Sequence, residues 1–282
     1  MILAHNHFDL FGKVILEKVV FKAPLKSNST MRDEACFLHV LKGNSSLYTP
    51  VKKLEVKTSD SLVMKCGSYL NKWFGKPDEQ PNEAVLVHFY PEVLQLIYED
   101  KLPDFIASKS RKDVESATLV PVDEMIANYV RSLLFYFDNP GMVTTELIKL
   151  KVKEIILLLV NTENSSRINS ILTDLFHPNN YEFKEVIHAH LYEDLSIPDL
   201  AVLCGYSLSS FKRKFTSTFG LSPTRYINSK RMERAKELLR QPNLSVSEIA
   251  YDCGFKDLSY FSKMFSATFQ YSPSKFRKLQ LN

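Results

Sequence analysis

Apolar and polar residues along this chain switch period twice, and the switches divide it. From residue 8 to about 90 the apolar positions recur every second residue, as on a strand with one face turned inward. GKVILEKVVF, ACFLHVLKG, SLYT, KLEVKT, DSLVMKC and AVLVHFY each predict a short strand. Lys42-Gly43-Asn44, Thr58-Ser59-Asp60 and Lys76-Pro77-Asp78 supply turns between them. Short strands at this spacing predict a small β-sandwich or barrel. From 91 to 176 the period becomes helical. PEVLQLIYED predicts a short helix, followed by the polar stretch ASKSRKDVESA. PVDEMIANYVRSLLFYF predicts a longer helix opening at Pro121, with Val122, Ile126, Tyr129, Leu133 and Phe137 on one stripe, until Asn139-Pro140-Gly141 breaks it. TTELIKLKVKEIILLLVN and INSILTDLF predict two more, separated by the polar loop NTENSSR. Residues 155–160 are apolar all round, which predicts burial on several sides. His177-Pro178-Asn179-Asn180 reads as a linker.

Beyond the linker the same unit occurs twice. LSIPDLAVLCGYSLSSFKRKFTSTFGLSP (195–223) returns as LSVSEIAYDCGFKDLSYFSKMFSATFQYSP (244–273). Leu195, Ser196, Ala201, Cys204 and Gly205 recur 49 residues later. After the turn the offset is 50, carrying Leu208, Ser209, Phe211, Phe215, Thr218, Phe219, Ser222 and Pro223 onto Leu258, Ser259, Phe261, Phe265, Thr268, Phe269, Ser272 and Pro273. Ser196 with Asp199, and Ser245 with Glu248, have capping-box spacing at the start of a short helix. Gly205 and Gly254 end it where positive φ is needed, and Tyr206 and Phe255 then plug the turn. The helix that follows has one phenylalanine stripe. Its other face carries Ser209, Lys212 and Arg213 in the first copy, and Ser259, Ser262 and Lys263 in the second. Such a helix, apolar on one side and cationic and hydroxylic on the other, suits a DNA major groove. A helical bundle with a solvated charged face would give one such pattern; two matching copies weigh against it. TRYINSKRMERAKELLRQ links the units as one helix ending near Pro242-Asn243. About 18 residues span roughly 27 Å, which approaches one DNA turn of roughly 34 Å once the recognition-helix offsets are added.

These residues resemble the AraC/XylS family of bacterial transcription regulators. The resemblance rests on A-x-x-x-G-[YF]-x(4,5)-F-x-[RK]-x-F-x-x-x-[FT]-[GQ]-x-[ST]-P at 201–223 and again at 250–273, and covers about 181–278. It implies base readers on the second helix of each unit. The expected DNA-contacting set is Ser207, Ser209, Ser210, Lys212, Arg213, Lys214 and Arg225, then Lys256, Asp257, Ser259, Tyr260, Ser262, Lys263 and Lys275. Of these, Lys212, Lys214, Arg225, Lys256 and Lys275 are the phosphate candidates. The resemblance also implies an activator, a homodimer through the 122–160 helices, RNA polymerase as a partner, and a cupin-like sensor barrel in the N-terminal part. The expected architecture is α+β. A cupin-like regulatory domain with a helical layer occupies 1–176, and an all-α double helix-turn-helix domain occupies 181–282.

Charge agrees with that division. From residue 181 onward there are 15 Lys/Arg against 10 Asp/Glu, while the rest has 21 against 22. The cationic excess lies where phosphate binding is expected. Cys36, Cys66, Cys204 and Cys253 form no C-x-x-C pair and read as small apolar residues. MILAHNHFDL lacks the apolar stretch of a signal peptide, and the 155–160 run is far short of the roughly 20 residues of a membrane span. A cytoplasmic protein without cofactor is expected.

The rival reading is a cupin-type metal enzyme fused to a DNA-binding module. It needs clustered histidines and a carboxylate. The H-x-H run His5-Asn6-His7 stands before the expected strands, and His39 and His88 read as hydrogen-bonded core residues. Trp73, Phe74, Tyr69 and Met64 either line a ligand pocket or, more simply, pack the core. The effector is either a small molecule or a protein partner.

Overall fold

The strands of the N-terminal part pair into two antiparallel sheets. A computed structural model describes the chain except residues 32, 77–78, 100, 104–114, 122, 163–164, 177–180, 242 and 282. Val122, part of the turn at 76–78, much of the polar stretch 107–117, Pro242 and the linker 177–180 therefore lie outside the described residues. The chain separates into the units Met1–Tyr181 and Glu182–Asn282.

In the first unit, β1 (Ile2–Leu10), β2 (Lys13–Phe21), β4 (Ala35–Lys42), β7 (Ser61–Met64), β9 (Asn82–Phe89) and β10 (Ala117–Val120) form one sheet in the order β1-β2-β9-β4-β7-β10. The second sheet has the order β3-β8-β5-β6, from β3 (Leu25–Met31), β5 (Asn44–Tyr48), β6 (Lys53–Val56) and β8 (Gly67–Phe74). The expected barrel is thus not a closed ring but two sheets. Strands β1, β3, β8 and β10 add to those expected. β1 is an edge strand whose residues are mostly exposed, and β3, LKSNSTM, is polar. Neither has the apolar alternation that marks a half-buried strand.

β4 is apolar at nearly every position because it is covered on both faces. Cys36, Leu38 and Val40 enter the core between the sheets with Met64, Tyr69 and Trp73. Ala35 and Phe37 enter a second core beneath the helices. Those helices are α1 (Pro91–Ile97), α2 (Glu124–Asp138), α3 (Thr145–Val160) and α4 (Ser165–Asp174). α2 opens not at Pro121 but after Asp123, whose carboxylate accepts from the Ile126 N–H at 2.9 Å. Ser165 to Arg167, expected in a loop, form the first turn of α4. α3 buries Ile148, Val152, Ile155, Ile156 and Leu159, yet leaves Leu150 and Leu157 59% and 54% exposed. Within one chain it is therefore not buried all round.

His39 donates or accepts at 2.7 Å with Ser61 Oγ, a core hydrogen bond, and burial lowers its pKa. His5 and His7 lie on β1 itself, not ahead of the strands. His5 pairs with Glu17 at 2.7 Å, and Glu17 also holds His88 at 2.9 Å. Burial alone would depress the His88 imidazolium, but hydrogen bonds and charges from Glu17 and Glu34 outweigh it and lift its pKa to about 9. Among the described residues, no three His, Cys, Asp or Glu are grouped to hold a metal ion. Tyr69, Trp73 and Met64 pack between the sheets, and the Tyr69 hydroxyl donates to the Lys65 and Ser116 carbonyls. Phe74 is exposed.

The second unit is all helical: α5 (Phe183–Ala189), α6 (Ile197–Leu203), α7 (Leu208–Phe219), α8 (Pro223–Leu238), α9 (Val246–Asp252), α10 (Leu258–Phe269) and α11 (Pro273–Leu281).

Candidate nucleic-acid interface

Each helix-turn-helix begins on a complete capping box. Ser196 Oγ accepts from the Asp199 N–H at 3.4 Å, and the Asp199 carboxylate accepts from the Ser196 N–H at 3.1 Å. The Ser245–Glu248 pair repeats this at 3.1 and 2.7 Å. Two orphan N–H groups are satisfied at each start. Gly205 and Gly254 follow at φ 70° and 79°. The Tyr206 and Phe255 N–H groups then donate back to the Ala201 and Ala250 carbonyls at 2.9 and 3.0 Å, closing each first helix in the same way. Phe255 is buried as a plug, whereas Tyr206 is 40% exposed and stands edge-on to Phe183 of α5.

The second helices, α7 and α10, are held by matching aromatic stacks. Phe211 and Phe215, like Phe261 and Phe265, are fully buried. Phe215 meets Phe219 at 4.6 Å, as Phe265 meets Phe269. The next helix closes each stack, with Tyr226 of α8 against Phe219 at 4.4 Å and Phe276 of α11 against Phe265 at 5.5 Å. Truncating a buried Phe here should cost about 3–5 kcal/mol. Cys253 is buried and Cys204 partly so, and burial pushes their thiols up to about 11 and about 12, which leaves them apolar in effect.

With the phenylalanines facing inward, helical spacing turns Ser209 and Arg213 outward on α7, flanked by Lys212 and Lys214, all exposed. On α10 the same positions are Ser259 and Lys263, both exposed, with Ser262 half-buried at the flank. The same geometry adds Thr216 and Ser217, exposed one turn further along α7, and Ser266 and Ala267 on α10. These four were absent from the expected set. Their signal was the three- and four-residue spacing from Arg213 and Lys263.

Several expected contact residues also have structural work. Ser207 and Asp257 are N-caps, accepting from the Ser210 and Tyr260 N–H groups at 3.4 and 2.8 Å. Ser210 is half-buried, while Tyr260 is 52% exposed. Lys256 pairs with Asp194 at 2.9 Å, and Lys275 lies 5.2 Å over the Tyr271 ring. Arg225 is exposed on the first turn of α8. Pro223 opens α8 as expected, but Ser222 makes no side-chain cap.

Residues 200–279 match the family described as a helix-turn-helix domain, and residues 35–171 match the ExsA N-terminal regulatory domain. The chain is similar to the HTH-type transcriptional activator RhaS of Enterobacter sp. (strain 638), 38% identical over 89 residues, which are 32% of each protein. It is also similar to the HTH-type transcriptional regulator ExsA of Pseudomonas aeruginosa, 26% identical over 156 residues, 55% of each. The C-terminal domain of the two-component response regulator yesN from Fusobacterium nucleatum is 29% identical, with a TM-score of 0.32, covering 34% of this chain and 93% of that one. The chain spans from about a third to about half the length of these curated relatives.

Proposed function

We propose that the chain is a transcription regulator of the AraC/XylS family, a sequence-specific DNA-binding activator working in the cytoplasm without catalysis or cofactor. What carries this reading is the pairing of two units with the same caps, turns and aromatic stacks, each presenting a polar helix face. α8, which joins them, has 16 residues, and so spans roughly 24 Å. With the helix offsets added, α7 and α10 reach successive major grooves on one side of a duplex. Base contacts come from Ser209, Arg213, Ser259 and Lys263, and phosphate contacts from Lys212, Lys214, Arg225 and Lys275. The test is selection of duplexes by the full chain from a random pool, followed by fluorescence anisotropy over a salt series. A recovered consensus bound far more tightly than a scrambled duplex supports the reading, and recovery of no consensus refutes it.

The chain acts as a homodimer through α2 and α3, whose exposed Met125, Phe135, Leu150 and Leu157 are large apolar side chains in water. Sedimentation of a Leu150→Glu, Leu157→Glu variant as a monomer, against a wild-type dimer, is the expected result. RNA polymerase is the downstream partner. Control through the first unit by a protein rather than a small molecule is favoured by the packing of Tyr69, Trp73 and Met64 between its sheets. A purified partner should then compete with DNA or restore its binding.

A further inference from the structure

One guanidinium joins the approach to the first helix-turn-helix to the turn of the second. Arg231, midway along α8, donates through Nε to the Leu191 carbonyl at 2.8 Å, through Nη2 to the Glu193 carbonyl at 2.6 Å and through Nη1 to the Gly254 carbonyl at 2.8 Å. Leu191 and Glu193 belong to the loop that leads into α6, and Gly254 is the turn between α9 and α10. The same guanidinium lies 5.7 Å over the Phe255 ring. The neighbourhood is closed by further ties of the loop, one to α8 and one to the turn. Arg234 stacks 4.1 Å over Tyr192, and Lys256 pairs with Asp194. A Cβ on Gly254 would lie 2.7 Å from the Tyr192 carbonyl and 2.9 Å from Arg231 Cζ, so the loop and the turn approach as closely as glycine permits.

We infer that Arg231 is a positioning residue for DNA recognition. By clamping the 191–194 loop to the 254 turn, it holds the two recognition helices at one separation and one rotational phase. A planar fork with fixed donor directions can span three carbonyls on two segments, and an ammonium on a flexible stem cannot. The rigid pair then binds two half-sites as one ligand, with the second contact made at high effective concentration only when the half-site spacing matches. This inference rests on the DNA-binding reading above.

The experiment uses the full chain, a duplex it has itself selected, and versions of that duplex with one or two base pairs inserted between the half-sites. Two base pairs rotate the second half-site by about 70°. Wild type should lose at least about 30-fold in affinity on the insertion. Arg231→Lys keeps the charge and the helix stem. It should bind the parent duplex about 10-fold more weakly, yet lose no more than about 3-fold on the insertion. Helix content by circular dichroism should equal that of wild type. Simple loss of folded protein would weaken both duplexes equally and leave the spacing penalty unchanged. An Arg231→Lys protein that keeps the wild-type spacing penalty overturns the clamp. So does a wild-type protein that tolerates the insertion, and that result needs no variant. Failure to select any duplex instead refutes the function proposed above.

Discussion

The two helix-turn-helix units share one fold but differ in what they show to solvent. α7 carries three consecutive exposed cations, Lys212, Arg213 and Lys214, and its N-cap is the neutral Ser207. α10 carries Lys263 alone at the corresponding positions, and its N-cap is the anionic Asp257. Their hinge glycines differ as well. Gly205 is exposed, while Gly254 is buried against Tyr192 and Arg231. At the far end, α7 closes on Gly220 and α10 on Gln270, both left-handed, at φ 72° and 64°. The aromatic stack is what the fold requires, so it repeats. The outward face is free of that demand, so it diverges, and α7 carries the denser positive charge.

The largest expected difference lies in the hinges. A left-handed L-residue costs about 1–2 kcal/mol, so Gly205→Ala should lose about that much. Gly254→Ala must also displace a carbonyl and a guanidinium, and should lose about 3 kcal/mol or more. Thermal melts of the two variants that shift equally would show the hinges to be equivalent. Next, Arg213→Ala should weaken binding to the selected duplex by about 1–3 kcal/mol and relax preference at one base position. Lys263→Ala should cost less, about 1 kcal/mol, with less cationic support around it. A uniform loss over all sequences would make Arg213 a phosphate contact instead. Asp257→Ser keeps a competent N-cap and removes a negative charge, so DNA affinity should rise by about 0.5 kcal/mol, with the gain fading at high salt. Titration at two ionic strengths reads this directly, and a loss of affinity would place Asp257 in contact with a base. Smallest, Gln270→Gly should raise the melting temperature, by about 0.5 kcal/mol of stability, because left-handed strain is relieved while unfolded-state entropy increases. A lowered melting temperature would mean that the Gln270 side chain contributes more than its strain.

Much of the candidate interface was legible in the chain because its determinants are local. Ser196 with Asp199, Ser245 with Glu248, and the glycines at 205 and 254 act within a single helical turn, and their spacing appears in one dimension. Ser222 is the exception, an N-cap by position whose side chain does not cap. The first unit was less legible. β1 and β3 owe their extended form to pairing with β2 and β8 rather than to their own polar residues, and pairing partners distant in the chain leave no periodic trace.

By itself the chain determined, in the second unit, the starts of α6 and α9, the hinge turns, the phenylalanine stripes and the identities on the outward faces. All of these follow from intervals of three to five residues. Only the tertiary structure decided which residues join distant segments. Nothing in the sequence pairs Lys65 with Asp174, buried together at 2.9 Å, or brings Arg231 onto carbonyls 38 and 40 residues before it and 23 residues after it. Such contacts depend on where whole elements pack, and a single buried cation meets its partner only after the backbone has brought both there.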